Sequence, residues 1–364
     1  MGDILIELSC GLTIAIGRNY LWRDNLIEEL GDVALVGKVM DVKMGATHVP
    51  LMVAPLSALF KEEIRYSQND AYLANQLLFD KRYKTILRSS PDGCIILESS
   101  IPCYEWFIWT LQMALLREGF SFVHGACVEK DGKAVLISSR GGVGKTAITE
   151  YFVRRLGWKL LGDDLIIVDS RGRSYAFPKP MVLYPYHKPI FPDVFAKGRK
   201  PIAPLWMNSM LSFIIPKVKP ILRNLSHSLL EFARRYNPQS VKIKPSEVFG
   251  PDSIAKKAEL AQVIWLDRNK KCSEPTIIEP DNGVLQSQMF AGTLLEFDPH
   301  CLRLSLIAMR QGIIQAGNVF GKWLDLLAQM LSIVPQKAKL SLPIDLPIER
   351  IGQIVAEYTL KGDS

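Results

Sequence analysis

Residues 122–146 read FVHGACVEKDGKAVLISSRGGVGKT and end in glycines followed by Lys145 and Thr146. That combination binds phosphate. Glycines let the backbone curl until several amide N–H groups point inward, and a helix starting at the same spot adds about half a positive charge. Gly141, Gly142, Val143 and Gly144 would form the cradle. Lys145 would reach the β- and γ-phosphates of a nucleoside triphosphate, and Thr146 would offer its hydroxyl to Mg²⁺. Ser139 stands six positions before the lysine, where the usual pattern has glycine. It only starts the turn, and a small serine can be accommodated.

A second chemical feature lies at 160–168, LLGDDLIIV. Asp163 and Asp164 interrupt an apolar strand, and burying two carboxylates without partners is costly, so they are expected to face a cation, a histidine or solvent in a cleft, the plain alternative being a surface turn with two solvated acids. One carboxylate near the loop would hold Mg²⁺, directly or through water, and the other would take the proton of an attacking hydroxyl. Consecutive strand residues point to opposite faces, so the pair can share a role only if the strand ends there.

The elements that must position these groups are legible too. Ala134–Ser138 is a short apolar strand running straight into the glycine loop. A helix follows with Ala147, Ile148, Tyr151, Phe152 and Leu156 on one side and Gly157 at its end. Strand, glycine loop, helix is the context phosphate binding requires. Upstream, Lys130-Asp131-Gly132-Lys133 suits a two-residue type I′ turn. If Lys130 pairs with Lys133, His124 falls opposite Ser139, so the hairpin returns the histidine to the mouth of the loop.

Together these residues resemble the HPr kinase/phosphorylase family and its wider relatives, including kinase-like enzymes of peptide tailoring. The matching features are HGA at 124–126, GGVGKT at 141–146, GDD at 162–164 and FPKP at 177–180. The likeness covers about 120–185 well and 240–290 weakly. It implies an α/β fold: a mixed-sheet P-loop domain of the HPr kinase/phosphoenolpyruvate carboxykinase type, with a smaller N-terminal α+β domain. It also implies ATP-dependent phosphorylation of a hydroxyl. Carried over by position, Lys145 binds phosphate, Thr146 and Asp164 hold Mg²⁺, and Asp163 is the general base, tuned by His124. The pattern departs in two places. Ala147 stands where the protein-phosphorylating members carry an acid, and no RGLG-like run follows the aspartates.

The rest of the chain is read more coarsely. At 364 residues, 48% apolar and 22% charged, it has the length of about two domains and an ordinary globular composition. Residues 1–100 read as a β-rich accessory domain, including a hairpin around Pro91-Asp92-Gly93. The catalytic domain runs from 101 to 364, opening with an apolar helix from Tyr104 to Glu118 that Gly119 stops. Later segments predict a strand at 261–267, helices near 302–312 and 319–333, a strand at 337–343 and a last helix. Six scattered cysteines without a CxxC pair fit a reducing cytoplasm, and neither a leader nor a membrane span is expected.

The net charge of +7 is concentrated: eleven Lys and Arg lie between Lys188 and Lys244, against Asp193 and Glu231 alone. Within it, 197–240 reads as a basic helical insertion. It ranks first as a cover or lid, with Lys179, His187 and Arg199 the nearest candidate contacts, and second as an amphipathic surface for an anionic membrane. A helical cover with a wet basic face is the plain alternative. Nucleic acid ranks last, because aromatics do not interleave with the charges. The sequence therefore reads as a cytoplasmic ATP- and Mg²⁺-dependent kinase, able to self-associate. Its acceptor is a hydroxyl of a peptide or protein serine or of a small molecule. The rival is a nucleotide-dependent switch or ATPase without an acceptor.

Overall fold

The computed structural model describes residues 3–17, 20, 22–33, 38–42, 51–55, 66–68, 71–74, 77–90, 94–196, 240–313 and 318–360. The expected basic insertion at 197–240 therefore lies, but for its last residue, outside the described residues.

Among the described residues up to Ser99, one mixed sheet is built from β1 (Asp3–Glu7), β2 (Thr13–Ile16), β3 (Lys38–Val42), β4 (Leu51–Pro55), β5 (Tyr66–Gln68), β6 (Ala71–Ala74), β7 (Leu77–Asp80), β8 (Thr85–Ser89) and β9 (Ile95–Ser99), in the order 3-1-2-4-9-8-7-6-5. A short helix, α1 (Arg23–Leu30), joins it. β8 and β9 form the expected hairpin, with Ser89 opposite Ile95. Pro91–Gly93 themselves fall outside the described residues.

Helix α2 (Tyr104–Arg117) is the pivot of the architecture. Every residue from Trp106 to Leu116 is buried, so the helix has no wet face and must be enclosed on all sides. One apolar core runs from Ile14 and Leu51 of the first sheet through Trp106 and Trp109 to Phe122, Ile166 and Trp323 of the second half. The side-chain amide of Gln112, buried inside it, is satisfied by Ser121 Oγ and the Phe122 amide. Gly119, at φ +81°, ends the helix and turns the chain into the second sheet.

That sheet holds β10 (Phe120–Lys130), β11 (Lys133–Ser139), β12 (Lys159–Gly162), β13 (Leu165–Asp169) and β14 (Arg173–Tyr175), with a separate β15/β16 pair (Met181–Leu183, Val241–Ile243), then β17 (Lys257–Asn269), β18 (Thr276–Ile278) and β19 (Gln336–Pro343). β11, β17 and β19 are parallel neighbours, while β10, β13 and β14 run antiparallel. The C-terminal ends of three parallel strands thus share one edge of the molecule, the usual place for a ligand in such sheets. Alternation along β11 decides the layers. Ala134 and Leu136 enter the core around α2, whereas Val135 and Ile137 face a second core.

The second core is covered by α3 (Lys145–Glu150, continued as a π turn to Arg155) and, after the short α4 (Pro192–Ala196) and α5 (Pro245–Phe249), by the last helix. The opposite face carries α6 (Asn282–Leu294), α7 (Pro299–Arg310) and α8 (Val319–Ile333); the last helix is α9 (Ile348–Leu360). α6 escaped the sequence reading because Gly283 and Gly292 lower its propensity; its one strong signal was Asp281, whose carboxylate caps Gly283 and Val284.

Candidate active site

The β10–β11 turn has the register that Asp131-Gly132 dictates, Lys130 opposite Lys133 and Gly125 opposite Ser138. Both turn residues take positive φ, +53° and +79°, as a type I′ turn demands. His124 is thereby delivered to the loop after β11. Its backbone is held from two elements: its N–H donates to Thr293 Oγ1 of α6 at 2.8 Å, and its carbonyl accepts from Ser138 Oγ at 2.8 Å.

The loop itself, Arg140 to Gly144, leads from β11 into α3. Gly142 and Gly144 sit at φ +77° and +120°. The φ of Gly144 is one that side-chain-bearing residues rarely adopt, and an added Cβ would also lie 2.6 Å from Ile351 Cδ1 of α9, which would have to shift. Lys145 is buried and folds back over the loop. Its Nζ lies 2.8 Å from His124 Nε2, 3.0 Å from Ser139 Oγ and 3.2 Å from the Arg140 carbonyl. The serine in the first-glycine position is therefore a partner of the lysine.

β12 stops at Gly162 and β13 begins at Leu165, so Asp163 and Asp164 occupy a break in the strand and both can serve one cleft. Gly162 is needed at that break, since a Cβ would meet Ile166 Cδ1 at 2.7 Å and the Leu165 carbonyl at 2.9 Å. Asp163 accepts hydrogen bonds from Thr146 at 2.9 Å and from Thr149, one turn on along α3, at 2.6 Å. Burial lifts its pKa to about 6 in spite of these two donors. Asp164 Oδ1 lies 3.2 Å from His124 Nδ1, and its other oxygen pairs with Lys179. Burial works against its charge, but Lys179 and then His124 outweigh that and hold the carboxyl well below the usual range. The carboxylate that faces His124 is thus Asp164.

Two more groups join the cluster: Glu296, which sequence reading did not single out, and Lys179, which it named only as a candidate contact beneath the basic cover. Glu296, just past α6, brings Oε1 to 3.3 Å from His124 Nε2, and burial raises its pKa. Lys179, in the FPKP stretch, has only 21% of its side chain exposed and is ion-paired, with its pKa raised by Asp164 against the cost of burial. Lys145 goes the other way: burial depresses its pKa, opposed by Asp164, Asp163 and Glu296. His187 is a structural group whose Nδ1 accepts from the Tyr184 amide, and burial lowers its pKa to about 4. Arg199 lies outside the described residues.

No family model and no curated protein matches the chain. Among solved structures it is similar to the HPr(Ser) kinase/phosphatase from Coxiella burnetii, at 13% sequence identity and a TM-score of 0.29, over 67% of this chain and 99% of that one. The likeness is distant.

The donor set suits a hard divalent cation beside polyphosphate. Three carboxylates (Asp163, Asp164, Glu296) face two lysine amines (Lys145, Lys179), so a triphosphate placed here would need further positive charge. The Thr146 hydroxyl and the aspartate oxygens are the hard ligands Mg²⁺ takes. His124, Asp164 and Glu296 also bring three ligand atoms within 4.8 Å of one another. The Lys145 ammonium, hydrogen-bonded to the imidazole, already supplies the cation there.

Among the described residues no helix is long and apolar enough to cross a membrane.

Proposed function

We propose that the protein is a kinase that transfers the γ-phosphoryl group of ATP to a hydroxyl. The observation that carries this reading is the convergence of Lys145, His124, Asp163 and Asp164 on a glycine loop at the parallel edge of the sheet. Phosphoryl transfer asks a protein mainly for positioning and for positive charge around the transferring group. Amides of Gly141 to Gly144 would hold the phosphates, and Lys145 would swing from His124 and Ser139 onto the β- and γ-oxygens.

Thr146 and Asp164 would hold Mg²⁺, with the oxygens of Asp163 alongside Thr146. The ion, when bound, neutralises charge on the β- and γ-phosphates. Asp164 suits an ionic role because Lys179 keeps it charged at any physiological pH. Asp163 suits proton transfer because its pKa of about 6 lies near the working pH. Each Asp163 oxygen keeps a lone pair beyond the Thr146 and Thr149 bonds for the acceptor hydroxyl. His124 would lie between the two charges, with Nδ1 beside Asp164 and Nε2 beside the Lys145 amine.

That Asp163 already accepts hydrogen bonds from two hydroxyls favours one second reading, a nucleotide switch or ATPase without an acceptor. One experiment separates them. Purified protein is incubated with γ-labelled ATP, Mg²⁺ and a peptide-and-metabolite extract, beside Asp163→Asn. Label moving onto an acceptor in the wild type and not in the variant supports the kinase. Label appearing only as free phosphate supports the ATPase. Equal transfer by both proteins removes Asp163 as base.

A further inference from the structure

The phosphate loop is braced from outside by a residue that belongs to none of its own elements. Arg268, near the end of β17, donates from Nε to the Val143 carbonyl at 3.2 Å, from Nη1 to the Ile344 carbonyl at 2.7 Å and from Nη2 to the Leu346 carbonyl at 3.2 Å. One guanidinium therefore ties the loop to the connection between β19 and α9. The topology makes this unavoidable: β11, β17 and β19 are parallel, so the loop after β11, the end of β17 and the connection after β19 emerge side by side. No other side chain presents donors in so fixed a fork, and burial lowers the guanidinium's pKa without approaching neutrality.

The Val143 carbonyl belongs to the same planar unit as the Gly144 N–H. In a trans peptide these two groups point in opposite directions. Drawing the carbonyl outward to Arg268 turns the Gly144 N–H to the other side, toward the cradle. Among the described residues that N–H makes no hydrogen bond, whereas the Gly144 carbonyl is already used by the Ala147 and Ile148 amides at 3.0 and 3.2 Å. At φ +120° the glycine is free to turn, and little in its own backbone selects this orientation.

We infer that Arg268 is the positioning residue of the phosphate site: it fixes the Val143–Gly144 peptide so that the Gly144 amide is presented to a bound phosphate before the ligand arrives. Preorganising a donor spares the ligand the cost of ordering it, so the effect falls on affinity for the phosphate chain and not on recognition of the base. The inference rests on the nucleotide reading above.

The test is calorimetric titration of the full chain with Mg·ADP and, separately, with Mg·tripolyphosphate, which has no base. Wild type, Arg268→Ala and Arg268→Lys are compared, with the folded fraction fixed by circular dichroism. Arg268→Ala is expected to weaken both ligands about equally, by ~10-fold or about 1.4 kcal/mol. Arg268→Lys, whose ammonium spans one carbonyl instead of three, should fall between, and added guanidinium should restore part of the loss in Arg268→Ala. If Arg268→Ala does not fold, Arg268→Lys against wild type carries the comparison. Unchanged affinity in the folded variants overturns the inference and leaves the nucleotide site standing. A loss seen for ADP and not for tripolyphosphate also overturns it. Wild-type protein that binds neither ligand removes the nucleotide reading, and this inference with it.

Discussion

The amine of Lys145 rests 2.8 Å from Nε2 of His124, inside its own phosphate loop. When Lys145 is protonated it donates in that pair and Nε2 accepts, which leaves the proton of a neutral ring on Nδ1, 3.2 Å from Asp164 Oδ1 without a hydrogen bond to it. Lysine and histidine thus hold a positive charge at the place where phosphate oxygens would arrive, in surroundings that depress the lysine's pKa. A bound nucleotide would offset the cost of that burial by supplying an anion. Lys145→Met should therefore weaken Mg·ATP by ~10- to 100-fold, the worth of a charge-assisted hydrogen bond. On the kinase reading ATP should raise the Tm of the wild type, and that rise should shrink to match in the variant, which a thermal-shift titration reads directly.

Asp163 predicts a pH dependence of both activity and stability. As a base it acts only when ionised, so kcat/KM should fall about tenfold per pH unit below its pKa of about 6. The stability effect has the opposite sign. A carboxyl whose pKa rises on folding, here from 3.8, favours the protonated native state, and its ionisation between pH 4 and 6 withdraws up to about 3 kcal/mol. Asp163→Asn should therefore be inactive in transfer yet gain Tm relative to wild type at pH 8, with the gain smaller at pH 4. A variant equally destabilised at both pH values would show that Asp163 is not ionised at a cost.

Much of the site was legible because it is local. A two-residue turn sets a register, a register places His124, and a strand–glycine–helix junction needs no tertiary information. The Asp163-Asp164 break could be suspected, since two carboxylates do not continue an apolar strand. What stayed hidden depends on long-range topology. Glu296 reaches His124 across 172 positions of chain, and Arg268 meets Val143 only because β11 and β17 turn out to be parallel neighbours. Sequence alone also could not tell which aspartate faces the histidine, a matter of which way the chain turns in a two-residue gap. The nine-strand order of the first sheet is of the same kind, because alternating apolar residues name strands and not their neighbours.

Asp164 and Lys179 are expected to be energetically coupled. Both are largely covered, and each moves the other's pKa toward the charged form. Because Asp164's pKa is depressed on folding, its contribution is complete above the ordinary carboxylate value of 3.8 and fades as pH falls below it. A double-mutant cycle with Asp164→Asn and Lys179→Met, by urea unfolding at pH 7, should give a coupling of about 1–2 kcal/mol, discounted for the third of Asp164 left exposed. At pH 2 the coupling should be smaller. A coupling near zero at pH 7 would mean that solvent screens the pair.

The junction between the two sheets makes the most severe prediction. Asp80, fully buried at the end of β7, accepts from Trp106 Nε1 at 2.7 Å and from the Arg82 amide at 2.9 Å, while His300 Nε2 of α7 lies 2.9 Å away. Three elements distant in sequence thus meet on one carboxylate, and α7 begins just after the loop that carries Glu296. Asp80→Ala removes the acceptor of the buried Trp106 indole N–H and of the half-buried Arg82 amide, and takes the carboxylate from beside His300, which should cost about 3–5 kcal/mol. His300→Ala removes one partner and should cost about 1–2 kcal/mol, whereas His300→Gln keeps a donor for Asp80 and should cost less. Urea unfolding followed by tryptophan fluorescence reads all three, since Trp106 is itself in the cluster. If loosening α7 shifts Glu296, His300→Ala should also reduce phosphoryl transfer under conditions where the protein is fully folded. Full activity there would confine the junction to a structural role.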